Sequence, residues 1–483
     1  MKPIQETSKF SSSLREIVPK SVGFSFYKAW TWLPVFTTLF YIRYDNSVLG
    51  MPIGKFYNLA QMLSATLLFL FVGAILSVKF LPLNKYRSVY VLAILVSGVG
   101  TIIATQNSDI LPLTILCPVL TGFGEVLIVL MWGEYCSSIG FRKTILFLLV
   151  SYLLSAGLFF AVVSIPEAIS LWLVPTYPII SVLFLYWGRK PTVRYCTVTA
   201  KATDPQLFPK LNRSWLWKVF LSLAVLGFSV NLARYSVESV ELATLYYYPV
   251  LITAIMLTAI LTLIGLTFFQ KKGRFDIIVS LVIVIVAIGH VLIPFISSSQ
   301  GFLVSLVFSI GRSCLFIVSW SIFSDITHSQ CIPAAKIFGW GRAVTVGGNF
   351  LGILVGSFTG LISTADETML LVIAIINMFL LIMSGSFFSS GFKTARNLET
   401  LANASNLAKQ SFEVITEEHG LTAREKEVAA LLIRGRSLPY IENELGISHG
   451  TANTHAHNIY KKLGVHSRQE LLDTFQAAEE EFS

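Results

Sequence analysis

The sequence predicts an all-α protein in two parts: a bundle of twelve membrane-spanning helices arranged as a 6+6 pseudo-repeat, then a four-helix domain at the C-terminal end. Three observations predict it. Of the 483 residues, 54% are hydrophobic and only 13% charged, about half the roughly 25% charge of ordinary globular domains. Apolar runs long enough to cross a bilayer, about 20 residues each, recur along the chain. Beyond residue 415 the pattern changes to short amphipathic segments punctuated by Ser, Thr and Gly.

Residues 1–23 are polar and contain no apolar core of a cleavable signal, so they are expected to be an N-terminal cytoplasmic segment. The spans follow at approximately 24–44, 57–79, 87–105, 110–137, 143–165, 168–188, 215–235, 242–269, 275–297, 301–325, 337–363 and 367–391. Several are free of charge throughout, among them Leu59–Val78, Ser88–Thr105 and Met369–Phe392. A large soluble core would need charged faces between these segments, and they are absent. Residues 24–391 are therefore read as a membrane domain embedded in lipid.

Orientation comes from Lys and Arg in the connections. With both ends on the inner side, seventeen basic residues fall in inner connections, Lys336 and Arg342 among them, against Arg43, Lys55 and Arg234 outside. That asymmetry predicts cytoplasmic N- and C-termini and a multi-pass protein of the cell's inner (cytoplasmic) membrane. The net charge of +9 then reflects the inner loops and is no argument for nucleic-acid binding. The longest inner connection, 189–214, splits the spans into two sets of six. The sets also look alike: Arg43-Tyr44 matches Arg234-Tyr235, and Trp132 with Glu134 matches Trp320 with Asp325. This parallel repeat resembles the major facilitator architecture. The Gly-x-x-x-Asp-Arg signature of those transporters is missing from Lys79–Arg87.

Residues 392–415 read as a polar linker: either a tether, which Asn403 and Asn406 favour by weakening a helix, or a helix that transmits motion from span twelve, with Leu398, Leu401 and Leu407 at loosely helical spacing. Residues 416–483 form the last domain. Thr422 and Glu425 can cap a first helix reciprocally, with Val428, Leu431 and Leu432 inward and Gly435 as the stop. Ser437 can cap a second helix, with Pro439 in its first turn and Ile441 and Leu445 inward. After a turn at Gly446, Ser448 caps a third helix carrying Asn453, Thr454 and His457 outward and Ile459 and Leu463 inward. Gly464 ends it. Ser467 and Glu470 form another capping box, opening a fourth helix with an apolar face of Leu471, Leu472 and Phe475. Two short helices joined by a tight Gly turn are helix-turn-helix geometry.

These residues resemble the LuxR-type (GerE/FixJ/NarL-like) helix-turn-helix domain. The positions that carry the resemblance include Leu421, Thr422, Arg424, Glu425, Glu427, Val428, Gly435, Ser437, Ile441, Leu445, Ile447, Ser448, Thr451, His455, Asn458, Ile459, Lys462, Leu463, Gly464, Val465 and Arg468. Ala452, Asn453 and Glu442 depart from the family pattern. The resemblance implies binding to double-stranded operator DNA. Thr451 is expected at phosphate and Asn453, Thr454 and His457 at base edges, with Lys461 as a phosphate cation. It also implies a weak homodimer on DNA through the fourth helix. Residues 412–483 hold seven Lys and Arg against twelve Asp and Glu, a net of −5. Cations at phosphates supply most nonspecific affinity, so an isolated tail is expected to bind weakly. Arg434, Arg436, Lys461 and Lys462 could form a local positive face.

No motif of an enzyme is present: no phosphate loop, no His-Glu-x-x-His, no Gly-x-Ser-x-Gly. The five cysteines show no paired metal spacing, and His455 and His457 lie two apart on one helix, so neither a metal nor a cofactor is expected. Ionisable groups inside a membrane are costly and mark function by default. Glu125 falls mid-span four and Arg312 mid-span ten, with Arg43 and Arg234 at matched outer ends. Either Glu125 and Arg312 only hold the halves together, or the four line a site for a small, anionic, carboxylate-bearing ligand. The sequence thus predicts a bacterial membrane-embedded transcription regulator with a transporter-like sensor. The competing expectations are a working transporter with a regulatory DNA-binding tail, and a tail released by proteolysis.

Overall fold

The computed structural model describes residues 2–36, 53–75, 82–106, 110–187, 214–237, 254–255, 257–258, 275–292, 301–330, 332–363, 367–433 and 435–482. All regular structure among them is helical. The chain divides into two compact units, Met1–Phe392 and Lys393–Ser483.

The first unit contains α1 (Lys2–Phe36), α2 (Ile53–Ile75), α3 (Arg87–Gln106), α4 (Leu111–Ile139), α5 (Phe141–Ser164), α6 (Glu167–Leu173), α7 (Thr176–Trp187), α8 (Ser214–Val237), α9 (Phe275–Leu292), α10 (Gly301–Gln330) and α11 (Ala334–Ser363). It ends within α12 (Glu367–Glu418). Eight segments among the described residues are long and apolar enough to cross a membrane. The sixth expected span is one of these, broken into α6 and α7 beside Pro175, where proline has no N–H to continue the ladder. Several of the other expected spans fall partly on residues outside the described set, such as 242–253 and 259–269.

Lipid offers no hydrophobic drive between helices, so close packing and buried hydrogen bonds must hold them. Both are present. A Cβ on Gly348 or Gly352 of α11 would run into the backbone carbonyls of Ala224 and Phe228 on α8. A Cβ on Gly339 of α11 would lie 2.8 Å from the amide nitrogen of Gly73 on α2. These glycines let α11 lie directly on both neighbours. Elsewhere, Asn377 of α12 is fully buried; it accepts from Ser229 Oγ at 2.8 Å, and its Nδ2 lies 2.5 Å from His290 Nε2 of α9.

The turn between α2 and α3, where the transporter signature is missing, is held differently. The buried carboxylate of Glu134 on α4 accepts from the amides of Leu83 at 2.6 Å and Asn84 at 2.9 Å. Asn84 Nδ2 also donates to the Met131 carbonyl at 3.0 Å.

The second unit contains the end of α12 and α13 (Ala423–Ile433), α14 (Leu438–Leu445), α15 (His449–Leu463) and α16 (Arg468–Phe482). Residues 392–415, expected as a tether, are helical and belong to α12. Ala, Leu, Lys and Glu outnumber the three asparagines there, and helix propensity sums over a window. The last turns of α12 complete the core of this unit. Phe412 stacks on Phe475 with centroids 5.6 Å apart, and Ile415 packs with Leu421, Val428, Ile441, Ile459 and Leu471.

Candidate functional site: a DNA-reading helix and a charged cavity

In the C-terminal unit the capping pattern explains where each helix starts. Thr422 N donates to Glu425 Oε2 at 2.8 Å, and Glu425 N donates to Thr422 Oγ1 at 3.3 Å, a reciprocal capping box. Ser448 caps α15 by accepting from Thr451 N at 3.2 Å. Ser437 takes the N-cap position of α14 but makes no side-chain cap bond. Pro439 stands at the second helical position and has no N–H to donate there. The box at α16 is also shifted: Glu470 N donates to Ser467 Oγ at 3.1 Å, but the Glu470 carboxylate accepts from His466 N at 2.8 Å instead. Gly446 closes α14 at φ +61° and Gly464 closes α15 at φ +68°, both left-handed conformations that favour glycine.

On α15 the side chains of Ala452, Ala456, Ile459 and Leu463 are buried, while Thr451, Asn453, Thr454, His457 and Lys461 are exposed. Thr454 Oγ1 donates to the Gly450 carbonyl at 2.8 Å, leaving its lone pairs outward. His449 Nδ1 lies 2.5 Å from Glu442 Oε1, tying the start of α15 to α14. The expected positive face is smaller than the sequence suggests. Lys462 is drawn into the domain, 2.6 Å from Glu425 Oε2 and 3.0 Å from the Gly420 carbonyl. Arg436 lies over the Tyr440 ring at 4.7 Å, and Arg434 lies outside the described residues. The apolar face expected on α16 is also largely consumed: Leu471 and Phe475 are core residues, and Leu472 is only half-buried.

In the membrane unit a cavity of about 150 Å³ lies among α1, α2, α4, α5, α8, α10 and α11. Glu125 and Arg312 both line it. Glu125 accepts from Gln61 Nε2 at 3.2 Å and from Tyr27 Oη at 3.5 Å. Arg43 lies outside the described residues; Arg234 belongs to α8, its side chain also outside the described set. Two further basic side chains line the cavity, Lys28 of α1 and Arg342 of α11. Arg342 is thus not a loop charge: it is 8% exposed, inside α11. Lys28 Nζ stands 3.9 Å from the centroid of the Phe316 ring, 5.3 Å from Tyr152 and 5.6 Å from Trp32.

Beyond the cavity, toward the C-terminal end of α4, aromatic rings close the space between the halves. Phe24 meets Trp132, Phe147 and Trp320 edge-on, at 5.5, 5.2 and 5.2 Å between centroids. Phe316 packs on Trp320 at 5.5 Å, and Trp320 on Phe338 at 5.2 Å. A further turn along, Ser324 Oγ of α10 donates to the Cys136 carbonyl of α4 at 2.8 Å and lies 3.1 Å from Thr144 Oγ1 of α5.

Residues 419–475 match the family of bacterial regulatory proteins, luxR family. Residues 419–475 form a LuxR-type DNA-binding domain. One relative is the transcriptional regulatory protein MctR of Rhizobium johnstonii (strain DSM 114642 / LMG 32736 / 3841). It is 36% identical over 81 residues, which is 17% of this chain and 32% of that protein. The chain therefore spans about a third of that relative's length. The rest of the chain is similar in fold to major facilitator transporters. A bacterial homologue of the iron transporter ferroportin, in an outward-facing state with soaked iron, aligns with 78% of this chain and 98% of its own. The TM-score is 0.55 and the identity 12%. The major facilitator superfamily transporter FucP, in an outward conformation, covers 77% of this chain and 98% of its own, with TM-score 0.52 and identity 12%. At such identities the likeness is one of fold.

The LuxR-type domain thus joins, in one chain, a transporter-fold unit with a charged cavity. Sequence reasoning finds two of the four charged groups lining that cavity. The rule that intramembrane charges are functional candidates applies equally to Lys28, inside the first expected span, and to Arg342, inside the eleventh. The positive-inside count absorbs Arg342 among loop residues instead. Nothing in the sequence marks Phe316 as the ring beneath Lys28.

Proposed function

We propose that this protein is a membrane-embedded transcription regulator of the inner membrane, with both termini in the cytoplasm. The transporter-fold unit senses a small molecule in its central cavity, and the LuxR-type domain reads operator DNA. The observation that carries the reading is the union, in one chain, of a DNA-binding domain with a cavity whose walls hold ionisable groups. A charge inside a membrane is retained at a cost of several kcal/mol.

The cavity favours an anionic, carboxylate-bearing ligand. Among the described residues lining it, Lys28, Arg312 and Arg342 stand against one carboxylate, Glu125. An excess of buried positive charge is stabilised by an arriving counter-ion, and guanidinium groups hold a carboxylate by paired hydrogen bonds. Arg43 and Arg234 belong to the same proposal as guides at the outer mouth. Ligand binding needs only a difference in affinity between two arrangements of the halves; about 1.4 kcal/mol shifts their ratio tenfold.

On DNA, Thr451 and Lys461 contact phosphate, and Asn453, Thr454 and His457 reach base edges. Two copies pair weakly on adjacent half-sites, with the half-buried Leu472 as an apolar contact on α16. Confinement of two tails to one membrane strengthens that pairing. Genome-wide DNA crosslinking of the tagged full-length protein, with transcript profiling on deletion, tests the function. Crosslinked sites beside genes whose transcripts change are expected. Solute uptake into vesicles without any crosslinked site would favour a transporter instead.

A further inference from the structure

The cavity and the aromatic layer beneath it meet at several contacts, Tyr27 on Phe24 and Tyr152 and Arg342 on Phe316 among them, and one of these contacts is that of Lys28 on Phe316. Lys28 belongs to α1, in the first half of the membrane unit, and Phe316 to α10, in the second. Lys28 Nζ stands 3.9 Å from the centre of the Phe316 ring. Phe316 is also the ring at which the cavity ends and the aromatic layer begins: it lines the cavity and packs on Trp320. Trp320 in turn meets Phe24 of α1 and Phe338 of α11. Below that layer Cys136 is fully buried, its carbonyl engaged by Ser324 from the other half.

We propose that Lys28 is the group that reports ligand occupancy: a bound carboxylate draws its ammonium off Phe316, and the loss of that cross-half contact loosens the aromatic layer between the halves. This rests on the reading of the cavity as a carboxylate site. A charge-assisted hydrogen bond to a carboxylate is stronger than an ammonium's attraction to a ring face, so the two partners compete for one cation and the carboxylate wins. A cavity of about 150 Å³ holds a molecule of roughly benzene size, which fits a small carboxylic acid.

Cys136 supplies the readout. In full-length protein in lipid nanodiscs, with Cys117, Cys196, Cys314 and Cys331 replaced by Ala, the rate of Cys136 alkylation by N-ethylmaleimide reports opening of the layer. At rest, Lys28→Gln and Phe316→Leu are each expected to label about tenfold faster than the parent. The double variant should label no faster than Phe316→Leu alone, because that substitution already removes the ring that Lys28 contacts. Lys28→Arg keeps a cation over the ring and should label like the parent. It also serves if Lys28→Gln does not fold, which size-exclusion elution shows. Millimolar benzoate should accelerate labelling of the parent several-fold, leave Lys28→Gln unchanged, and be unmatched by neutral benzamide. Parent-like labelling of both Lys28→Gln and Phe316→Leu, or a benzoate effect that persists in Lys28→Gln, overturns the role of Lys28 while leaving the cavity as a carboxylate site. Identical parent labelling with benzoate, acetate, succinate and no addition overturns the coupling, and a thermal midpoint of the parent that none of the three carboxylates shifts overturns the carboxylate site itself.

Discussion

Lys462 reaches from α15 back to Glu425 at the start of α13, placing Nζ 2.6 Å from Oε2, and the Glu425 side chain is almost fully buried there. A residue that the sequence groups with DNA-facing cations therefore anchors the domain instead. Burial by itself raises the pKa of Glu425, but the hydrogen bonds from Lys462 and Thr422 outweigh it and hold the carboxyl below the ordinary glutamate value.

The sign of the pH dependence follows. The folded carboxyl binds its proton more weakly than the unfolded one, so its contribution is full above about pH 4.5, the ordinary value, and is lost as pH falls through the lower folded value. Glu425→Gln should remove this acid sensitivity and loosen the domain by about 1–3 kcal/mol. Hydrogen exchange of residues 421–465 in the full-length protein, followed from pH 7 to pH 4, measures both. Equal exchange in wild type and Glu425→Gln at neutral pH would contradict the assignment.

The two serine caps should behave differently. Ser448→Ala loses a side-chain hydrogen bond to Thr451 N and should destabilise the domain by about 1 kcal/mol. Ser437→Ala loses no such bond and should cost a few tenths at most. The same exchange measurement separates them.

Asn453→Ala should relax preference at one base step by about 1–3 kcal/mol, because a paired contact to a base edge is lost. Lys461→Ala should weaken binding to all sequences alike and lower the salt slope by about one. Binding-site selection with the full-length protein distinguishes the two outcomes.

Arg312→Gln should abolish the reporter response to effector while leaving operator binding intact, and Arg312→Lys should recover little, since an ammonium lacks the two-pronged donor geometry. Reporter induction in cells at matched membrane levels is the measurement. Induction of Arg312→Gln equal to wild type would remove Arg312 from the site.

Gly348→Val would push a branched side chain into the Ala224 carbonyl and should destabilise the membrane unit by at least about 1–3 kcal/mol. A lowered thermal midpoint in detergent, absent from Gly157→Val, where a Cβ meets nothing within 4 Å, checks this.

By itself the sequence determined the class of each part. Span lengths and the scarcity of charge report directly on the solvent a helix will face. The run from Leu421 to Arg468 reports on helix caps and turns, which are local and set by residues three or four apart. The inward and outward faces of α15 were legible for the same reason, since helical period alone sorts Asn453 and His457 from Ile459 and Leu463. Only the tertiary structure decided what meets across distance. It brought Lys28 and Arg342 to the cavity of Glu125 and Arg312, set Phe316 beneath Lys28, buried Leu471 and Phe475 in the core of the C-terminal domain, and tied Lys462 to Glu425. Such contacts join residues far apart in the chain, and no local periodicity records which partner a buried charge or an apolar face will find.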